Sequence, residues 1–306
     1  MGYVLSIIIV NYKTPDLTIR CIKSIPIDSK IEVIVVDNDS NDGSIEQISS
    51  KFDNIKILKS TYNSGFGRAN NLGVKNANGE YILLLNSDML LLPNNNLQDC
   101  INQFYKDTNI GVLGCKLLNE DSSFQKSTYY DVATLKNLLS YNILWFKIFK
   151  PKPTSLDAIM GSFMIFRKKD FENLSGFDED FFMYAEELEL CARFKKSGKK
   201  ILYFDQYTAI HKHGGSSEGS NWSLKQNLLS NALLQLKVNG FLGYLFYHLV
   251  FQINILTNVL LYFTLDKMNR KSYNRLYYAY FSNYLIYFKI PFYYTFFRNR
   301  KFLKAI

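Results

Sequence analysis

Short apolar runs alternate with amphipathic stretches through the N-terminal part of the sequence, and this alternation limits the fold more than any other feature. The apolar runs predict four β-strands, at residues 4–10, 31–36, 55–58 and 81–85. Helix signals fall between them: Thr14-Pro15-Asp16 opens the first predicted helix, and a longer amphipathic stretch covers residues 66–76. Strands that alternate with helices at this spacing are typical of βαβ units. We therefore predict an α/β protein with a mainly parallel sheet flanked by helices.

Polar clusters follow three of these predicted strands. Asn11 ends the first strand, the loop of residues 37–42 begins with Asp37 after the second, and residues 86–88 follow the fourth. The carboxyl ends of parallel strands meet at one edge of a sheet, where loops and helix N-termini bind ligands. Ordinary turns use the same residue types, but the shared position of all three clusters favours a single binding site.

The phosphate-binding motifs of two large nucleotide-binding classes are missing from the sequence. No GxGxxG follows the first predicted strand and no GxxxxGK[ST] occurs, so a Rossmann dehydrogenase and a P-loop NTPase are both disfavoured. A different Gly-rich segment, at residues 63–71, follows the third strand, and its small residues let the backbone approach a ligand closely. The four cysteines form no CxxC pair, so they predict neither a zinc knuckle nor a disulfide framework.

Acidic and histidine residues in three places carry the candidate chemistry. Asp88 follows a buried strand, where its carboxylate suits a hard cation such as Mg²⁺ or Mn²⁺. His211 and His213 follow a predicted strand at residues 200–204 by a short loop, and an imidazole there is able to complete a metal site or bind phosphate oxygens. Glu186 and Glu187 begin a predicted helix. One of them is a candidate general base, and an acidic first turn favoured by the helix dipole is the alternative.

The positive charge of the chain is concentrated at its C-terminal end. The net charge is +9, and residues 237–306 hold ten lysine and arginine residues against one acid. Residues 238–265 carry no charge, but polar side chains such as Asn239 and His248 interrupt the apolar run. We predict a helical, basic and aromatic region at 221–306 that associates with an anionic membrane surface, following a catalytic domain at 1–220. A membrane span and an oligomer interface are alternatives, and nucleic acid is disfavoured because no reading motif accompanies the basic residues.

Seven segments of the sequence, in order, resemble those of family-2 glycosyltransferases, especially bacterial rhamnosyltransferase-like enzymes of polysaccharide synthesis. The segments are SIIIVNY (6–12), VVDNDSNDGS (35–44), NSGFGRANNLG (63–73), GEYILLLNSD (79–88), GSFMIFR (161–167), GFDEDFFMYAEE (176–187) and HKHGGS (211–216). The resemblance covers about residues 3–237. It implies a GT-A fold, a nucleotide-diphospho-sugar donor such as a dTDP- or UDP-sugar, and a Mg²⁺ or Mn²⁺ ion.

The resemblance also implies roles for individual residues. Metal or diphosphate contacts are implied for Asp88 and His211, and Asp88 ends an Asn-Ser-Asp motif where many relatives carry Asp-x-Asp. Acceptor contacts are implied for Gly161 and Ser162. Donor binding is implied for Asn11, Asp37, Asn63, Gly65, Ser87 and Asp88.

The position of the catalytic base in the family matches Glu187, although relatives usually have Asp after Glu. Glutamate is one methylene longer, so its carboxylate must be set back or rotated to reach an acceptor hydroxyl. We predict Glu187 as the base, with Glu186 as the alternative.

These features together predict an inverting glycosyltransferase of capsule or O-antigen synthesis. It would move a sugar, with rhamnose as one candidate, from a nucleotide-diphosphate donor to a lipid-linked or growing bacterial surface polysaccharide. We expect a peripheral protein at the cytoplasmic face of the bacterial inner membrane, with a homo-oligomer as an open alternative. Two other functions stay open: a non-catalytic membrane-bound assembly subunit that retains the fold, and a nucleotidyltransferase on a similar sheet.

Overall fold

The structure, a computed structural model, describes residues 2–130, 132, 155–212, 221–261 and 274. His213 and most of the basic C-terminal sequence lie outside the described residues. The chain divides into two compact units. The first unit comprises Met1–Tyr129, Leu156–Glu179 and Leu190–Ser216, and the second comprises Asp180–Glu189 with Tyr130–Ser155 and Ser217–Ile306. The predicted domain boundary at residue 220 stays a prediction.

The helices and strands follow the predicted alternation. The described helices are α1 (Pro15–Ser24), α2 (Ser44–Ser49), α3 (Phe66–Lys75), α4 (Leu97–Lys106), α5 (Lys168–Asn173), α6 (Glu186–Lys196) and α7 (Asn221–Leu261). The described strands are β1 (Leu5–Asn11), β2 (Ile31–Asp37), β3 (Lys56–Lys59), β4 (Tyr81–Leu85), β5 (Met89–Leu91), β6 (Ile110–Leu118), β7 (Phe124–Gln125), β8 (Thr128–Tyr130), β9 (Leu156–Ile159), β10 (Phe163–Arg167) and β11 (Lys200–His211).

Nine of the described strands form one sheet in the first unit. Its order is β3-β2-β1-β4-β10-β6-β11-β5, and β7 pairs with β6. The first four of these strands run parallel, as predicted. Strand β10 lies antiparallel between β4 and β6, and β5 lies antiparallel to β11 at the edge. All five residues of β4 are buried, which explains why its sequence is continuously apolar.

Strand β11 is longer than the sequence predicted. The predicted strand ended at residue 204 with a short loop before His211, but the strand continues through the polar residues Asp205 and Gln206 to His211. The pairing with β6 shifts register between Phe204 and Thr208, and the strand then resumes. A bulge of this kind accommodates extra polar residues without ending a strand.

The amino ends of the strands are joined by a buried carboxylate. Glu32 on β2 accepts hydrogen bonds from Ser6 Oγ at 2.6 Å and from the backbone and side-chain nitrogens of Asn78, both at 2.8 Å. Gly79 passes so close to β1 that an added Cβ would lie 2.5 Å from the Ser6 nitrogen. This end of the sheet is therefore closely packed.

The second unit is built around helix α7. A backbone break at Gly240, with φ at 68°, divides the helix into two parts. Buried side chains of α7 such as Leu229, Leu233 and Tyr247 form an apolar cluster with Phe181 and Ala185. Across the part of the chain that the structure describes, we find no helix whose length and apolar character together suffice to cross a membrane.

Candidate active site

A buried polar network joins the carboxyl ends of β1 and β2. Asn11 pairs in register with Asp37, and its Nδ2 donates to Asp37 Oδ1 at 2.8 Å and to Ser40 Oγ at 3.0 Å. Its Oδ1 accepts from the hydroxyl of Thr18 at 2.9 Å. Because the Asn11 side chain is buried and its amide is engaged within the protein, its direct effect is to fix the position of the Asp37 carboxylate.

Asn38, which sequence reasoning did not single out, links this network to the Gly-rich segment. Its Nδ2 donates to Asn63 Oδ1 and to the Gly65 carbonyl, both at 3.1 Å. Its Oδ1 accepts from the nitrogen and hydroxyl of Ser64, both at 3.0 Å. The predicted donor residues Asp37, Asn63 and Gly65 thus lie in one connected group. The only sequence signal for Asn38 is its place in the polar loop after β2.

The loop after β4 contacts neighbouring loops at the same edge. Ser87 Oγ lies 3.3 Å from the Thr14 hydroxyl at the start of α1. The Asn86 nitrogen donates to the Ser162 carbonyl at 3.0 Å. Gly161 and Ser162 come directly before β10, whose first residue pairs with the last residue of β4. Sheet pairing therefore brings the predicted acceptor residues beside the predicted donor loop.

Asp88 and His211 also lie side by side in the first unit. His211 Nε2 is 3.3 Å from Asp88 Oδ1, and the Lys212 nitrogen donates to the Asp88 carbonyl at 3.0 Å. Strand β5 begins immediately after Asp88 and pairs with β11 so that Met89 faces His211. This pairing explains why two residues that are distant in sequence become neighbours.

Gln125 fixes the orientation of the His211 ring. Its Oε1 lies 2.9 Å from His211 Nδ1 in a buried position. An amide oxygen only accepts, so Nδ1 donates to Gln125 and Nε2 is the ring nitrogen that faces Asp88. Metal-ligating histidines are usually held by such a bond on the other ring nitrogen. Sequence reasoning missed Gln125, because nothing in the local pattern of β7 indicates this contact.

The donor set of Asp88 and His211 fits a divalent cation. A carboxylate oxygen and an imidazole nitrogen that face each other are suitable ligands for Mn²⁺, and a carboxylate suits Mg²⁺. Among the described residues no group of three His, Cys, Asp or Glu side chains is placed to hold a metal. Oxygens of a substrate or of water are able to complete the coordination of such an ion.

The predicted catalytic glutamates belong to the second unit and begin helix α6. Two residues with left-handed backbone precede them, Tyr184 with φ at 71° and Ala185 with φ at 65°. Neither residue type favours this conformation, and such strain is concentrated at functional sites. The turn directs the chain into α6 so that Glu186 is buried and Glu187 is partly buried.

Burial raises the pKa values of both glutamates above those of ordinary surface carboxylates. It raises the pKa of Glu187 to about 7. Burial raises the pKa of Glu186 well above its usual value, and the neighbouring Glu187 charge adds to the shift. Glu186 Oε2 has no hydrogen-bond partner among the described residues, and a backbone hydrogen bond to this carboxyl group offsets only part of its lost solvation. Both shifts favour the protonated form, and a pKa of about 7 lets Glu187 exchange a proton at neutral pH.

Helix α7 holds the segment that precedes the glutamates. Ser230 Oγ donates to the Met183 carbonyl at 2.7 Å. Lys237 Nζ lies 2.6 Å from Asp180 Oδ2 and 5.9 Å from the centre of the Phe181 ring. Part of the region predicted to associate with a membrane thus also supports the candidate catalytic segment.

The fold resembles that of solved glycosyltransferases. A mannosyltransferase from Pyrobaculum calidifontis, in complex with GDP-Man and Mn²⁺, superposes with a TM-score of 0.58 at 14% identity, over 90% of this chain and 84% of the other. GalNAc-T7 with UDP, GalNAc and Mn²⁺ superposes with a TM-score of 0.55 at 18% identity, over 75% of this chain and 47% of the other. The chain has the GT-A fold, as predicted.

The family follows from the sequence. The sequence profile of the family described as Glycosyl transferase family 2 matches residues 6–175, which is more than half of the chain. The chain therefore belongs to glycosyl transferase family 2 and is a glycosyltransferase, which confirms the resemblance found in its motifs.

Curated relatives agree with this family. Rhamnosyltransferase WbbL of Escherichia coli K12 is 26% identical over 218 residues, which cover 67% of this chain and 82% of the relative. Low-salt glycan biosynthesis hexosyltransferase Agl10 of Haloferax volcanii is 31% identical over 215 residues, 68% of this chain and 66% of the relative. N-acetylglucosaminyl-diphospho-decaprenol L-rhamnosyltransferase of Mycobacterium tuberculosis is 22% identical over 245 residues, 72% of this chain and 79% of the relative.

Proposed function

We propose that this enzyme is an inverting glycosyltransferase that moves a hexosyl unit, with rhamnose as the first candidate, onto a lipid-linked or growing bacterial surface polysaccharide. Two of the relatives named above are rhamnosyltransferases, and one of them is named for a diphospho-decaprenol acceptor. The donor is a nucleotide-diphospho-sugar, a dTDP- or UDP-sugar. Nucleotides bound in the two solved neighbours support this class of donor.

The observation that carries the proposal is the pairing of Asp88 with His211 at the carboxyl edge of the sheet. The 3.3 Å separation of Asp88 Oδ1 and His211 Nε2 makes this pair the best candidate for holding Mg²⁺ or Mn²⁺. Such an ion, when bound, supplies positive charge for the diphosphate leaving group. Mn²⁺ in both solved neighbours supports this assignment.

The network around Asp37 provides the donor site in this proposal. Asn11 and Ser40 hold the Asp37 carboxylate, and Asn38 holds Asn63 and Gly65 beside it. A carboxylate held in this way binds the nucleoside part of the donor without having to reorganise. Ser87 contributes from the loop after β4, and Gly161 with Ser162 serves the acceptor.

Glu187 is the general base of the proposed reaction. A pKa of about 7 lets its carboxylate take a proton at neutral pH. It takes the proton of the acceptor hydroxyl while that oxygen forms a bond to the anomeric carbon. The bond from this carbon to the diphosphate oxygen breaks on the opposite face, and the nucleoside diphosphate leaves with the electron pair. Burial of the Glu187 carboxylate is what brings its pKa into this range.

A peripheral location at the cytoplasmic face of the inner membrane completes the proposal. A lipid-linked acceptor is confined to a membrane, and the net charge of +9 favours an anionic leaflet. The sugar would then be transferred where the acceptor lipid is held.

The test is a transfer assay with the Glu187→Gln variant against Glu46→Gln, an exposed glutamate of α2, as the matched control. Release of nucleoside diphosphate from dTDP-, UDP- and GDP-sugars is measured with lipid extracts as acceptor, together with donor binding by calorimetry. We expect Glu187→Gln to lose about 10²–10⁴-fold in turnover and to bind the donor as the unaltered protein does.

Three other outcomes would contradict the proposed function. Full turnover in Glu187→Gln would exclude this residue as the base. No transfer by the unaltered protein, with assembly intact in the variant, would favour the assembly subunit. Pyrophosphate release from a nucleoside triphosphate would favour the nucleotidyltransferase.

A further inference from the structure

An exposed apolar stripe runs along the part of α7 that follows Gly240. Its four members are spaced three or four residues apart, which places them on one face of the helix. The exposed fractions of the residues are 79% for Leu242, 46% for Leu245, 57% for Leu249 and 41% for Ile253. Water-exposed aliphatic side chains in a continuous row of this length usually mark an interaction surface.

The opposite face of this part of α7 is buried within the second unit. Tyr244, Tyr247 and Phe251 are buried and belong to the apolar cluster of the second unit, and Val250 is also buried. The helix is therefore apolar on both faces, although a helix that covers a core needs only one apolar face. Packing among the described residues of the second unit accounts for the tyrosine face but not for the exposure of the leucine stripe.

The distribution of charged residues along the sequence indicates what kind of partner the stripe binds. No charged residue interrupts residues 238–265, whereas residues 262–306 hold nine lysine and arginine residues against the single acid Asp266. An uncharged apolar surface in a region whose sequence is strongly basic matches a lipid bilayer with anionic headgroups. A second copy of this chain would bring two basic regions together, which is electrostatically unfavourable.

We propose that the stripe of Leu242, Leu245, Leu249 and Ile253 is the surface by which the protein binds an anionic lipid bilayer. The helix lies in the plane of the interface, with these side chains about 5–10 Å deep at the boundary of headgroups and acyl chains. The proposal deepens the peripheral location given above and rests on it, but it does not depend on the identity of the sugar or of the base.

The test is binding of the full chain to vesicles, measured by co-sedimentation without any nucleotide-sugar. Vesicles of phosphatidylcholine with phosphatidylglycerol are compared with phosphatidylcholine alone. The double variant Leu245→Gln with Leu249→Gln is expected to lose at least about 10-fold in partition to the anionic vesicles. The control is Ile27→Gln, which removes a fully exposed apolar side chain of the first unit and should partition as the unaltered protein does.

A fluorescent label reports where the stripe lies. The native cysteines Cys21, Cys100, Cys115 and Cys191 are buried, so an environment-sensitive dye attaches selectively to Leu249→Cys. We expect a blue shift of emission on adding anionic vesicles, and quenching by lipids with spin labels near the headgroup.

Several outcomes would overturn the proposal. These are unchanged partition of the double variant, equal binding to neutral vesicles, and dye emission that is already blue-shifted without lipid. The last result would indicate that a second copy or another segment of the chain covers the stripe. Normal vesicle binding by Glu187→Gln, or by a protein with no transfer activity, would separate failure of the proposed chemistry from failure of this surface.

Discussion

His211 Nε2 lies 3.3 Å from Asp88 Oδ1, because β5 begins directly after Asp88 and pairs with the end of β11. The backbone adds a second link, from the Lys212 nitrogen to the Asp88 carbonyl. Regular sheet pairing thus positions a pair of candidate ligands next to each other. We expect the site to bind a cation with little rearrangement of the chain.

Removing the Asp88 carboxylate should weaken binding of Mn²⁺. For Asp88→Asn we expect turnover to fall by about 10²–10³-fold, because charge on the leaving diphosphate is no longer balanced. Mn²⁺ binding in the presence of nucleoside diphosphate is measured by electron paramagnetic resonance. Asp99→Asn, which removes an exposed carboxylate of α4, is the control. Equal Mn²⁺ affinity in the two variants would exclude Asp88 as a ligand.

Gln125 should act through His211. For Gln125→Leu we expect Mn²⁺ affinity to fall by about 10–100-fold, because the bond that orients the imidazole is lost. Gln125→Glu retains an acceptor for Nδ1 and should restore most of the affinity. The ¹⁵N chemical shifts of the ring report its tautomer, and an unchanged tautomer in Gln125→Leu would contradict the positioning role.

The rate of sugar transfer should depend on pH through the ionisation of Glu187. A pKa of about 7 for Glu187 means that the ionised fraction falls as the pH drops below 7. We expect kcat/KM to decline about tenfold per pH unit on the acid side. In Glu187→Gln the residual rate should lose this acid limb. Retention of the limb in the variant would assign the titration to another group.

The buried glutamates should lower stability at alkaline pH. The pKa of Glu187 in the folded protein is about 7, above the ordinary value of 4.5, so the folded state binds the proton more tightly. Stability is then fully present below about pH 4.5 and is lost as the pH rises through 7. We expect Glu187→Gln to gain on the order of 1–3 kcal/mol in the free energy of unfolding at pH 8 and much less at pH 5. Denaturant titrations at both pH values measure this, and equal gains would contradict the shift.

The pair of Lys237 with Asp180 should stabilise the second unit. Lys237→Met leaves a largely buried carboxylate without its cation, and we expect a loss of about 2–4 kcal/mol in the free energy of unfolding. Lys200→Met breaks an exposed pair with Asp107 and should have a much smaller effect. Comparable losses in the two variants would mean that the burial of Lys237 contributes nothing.

Local patterns in the sequence predicted much of the fold, because the alternation of strands and helices is a local property. The strand ends that carry Asn11, Asp37 and Asp88 were correctly located, since parallel strands place these ends at one edge. The extension of β11 to His211 was missed, because a bulge lets polar residues remain within a strand.

Contacts between distant residues could not be predicted. The bond between Gln125 and His211 depends on the short strand β7, whose pairing has no signature in two residues. The left-handed backbone at Tyr184 and Ala185 could not be predicted either, because neither residue type favours this conformation. Surrounding structure imposes both features.

The buried carboxylate of Glu32, bonded to Ser6 and Asn78 at the amino ends of the strands, is at the opposite end of the sheet from the polar loops. The contacts that anchor the strands and the polar loops of the candidate site thus lie at opposite ends of the same sheet. Exchanging loops such as residues 37–43 and 86–88 leaves the contacts of Glu32 intact, so these loops are able to differ between relatives without loss of the fold. Chimeras that transplant these loops between relatives should accordingly fold and inherit the donor preference of the protein that supplied the loops.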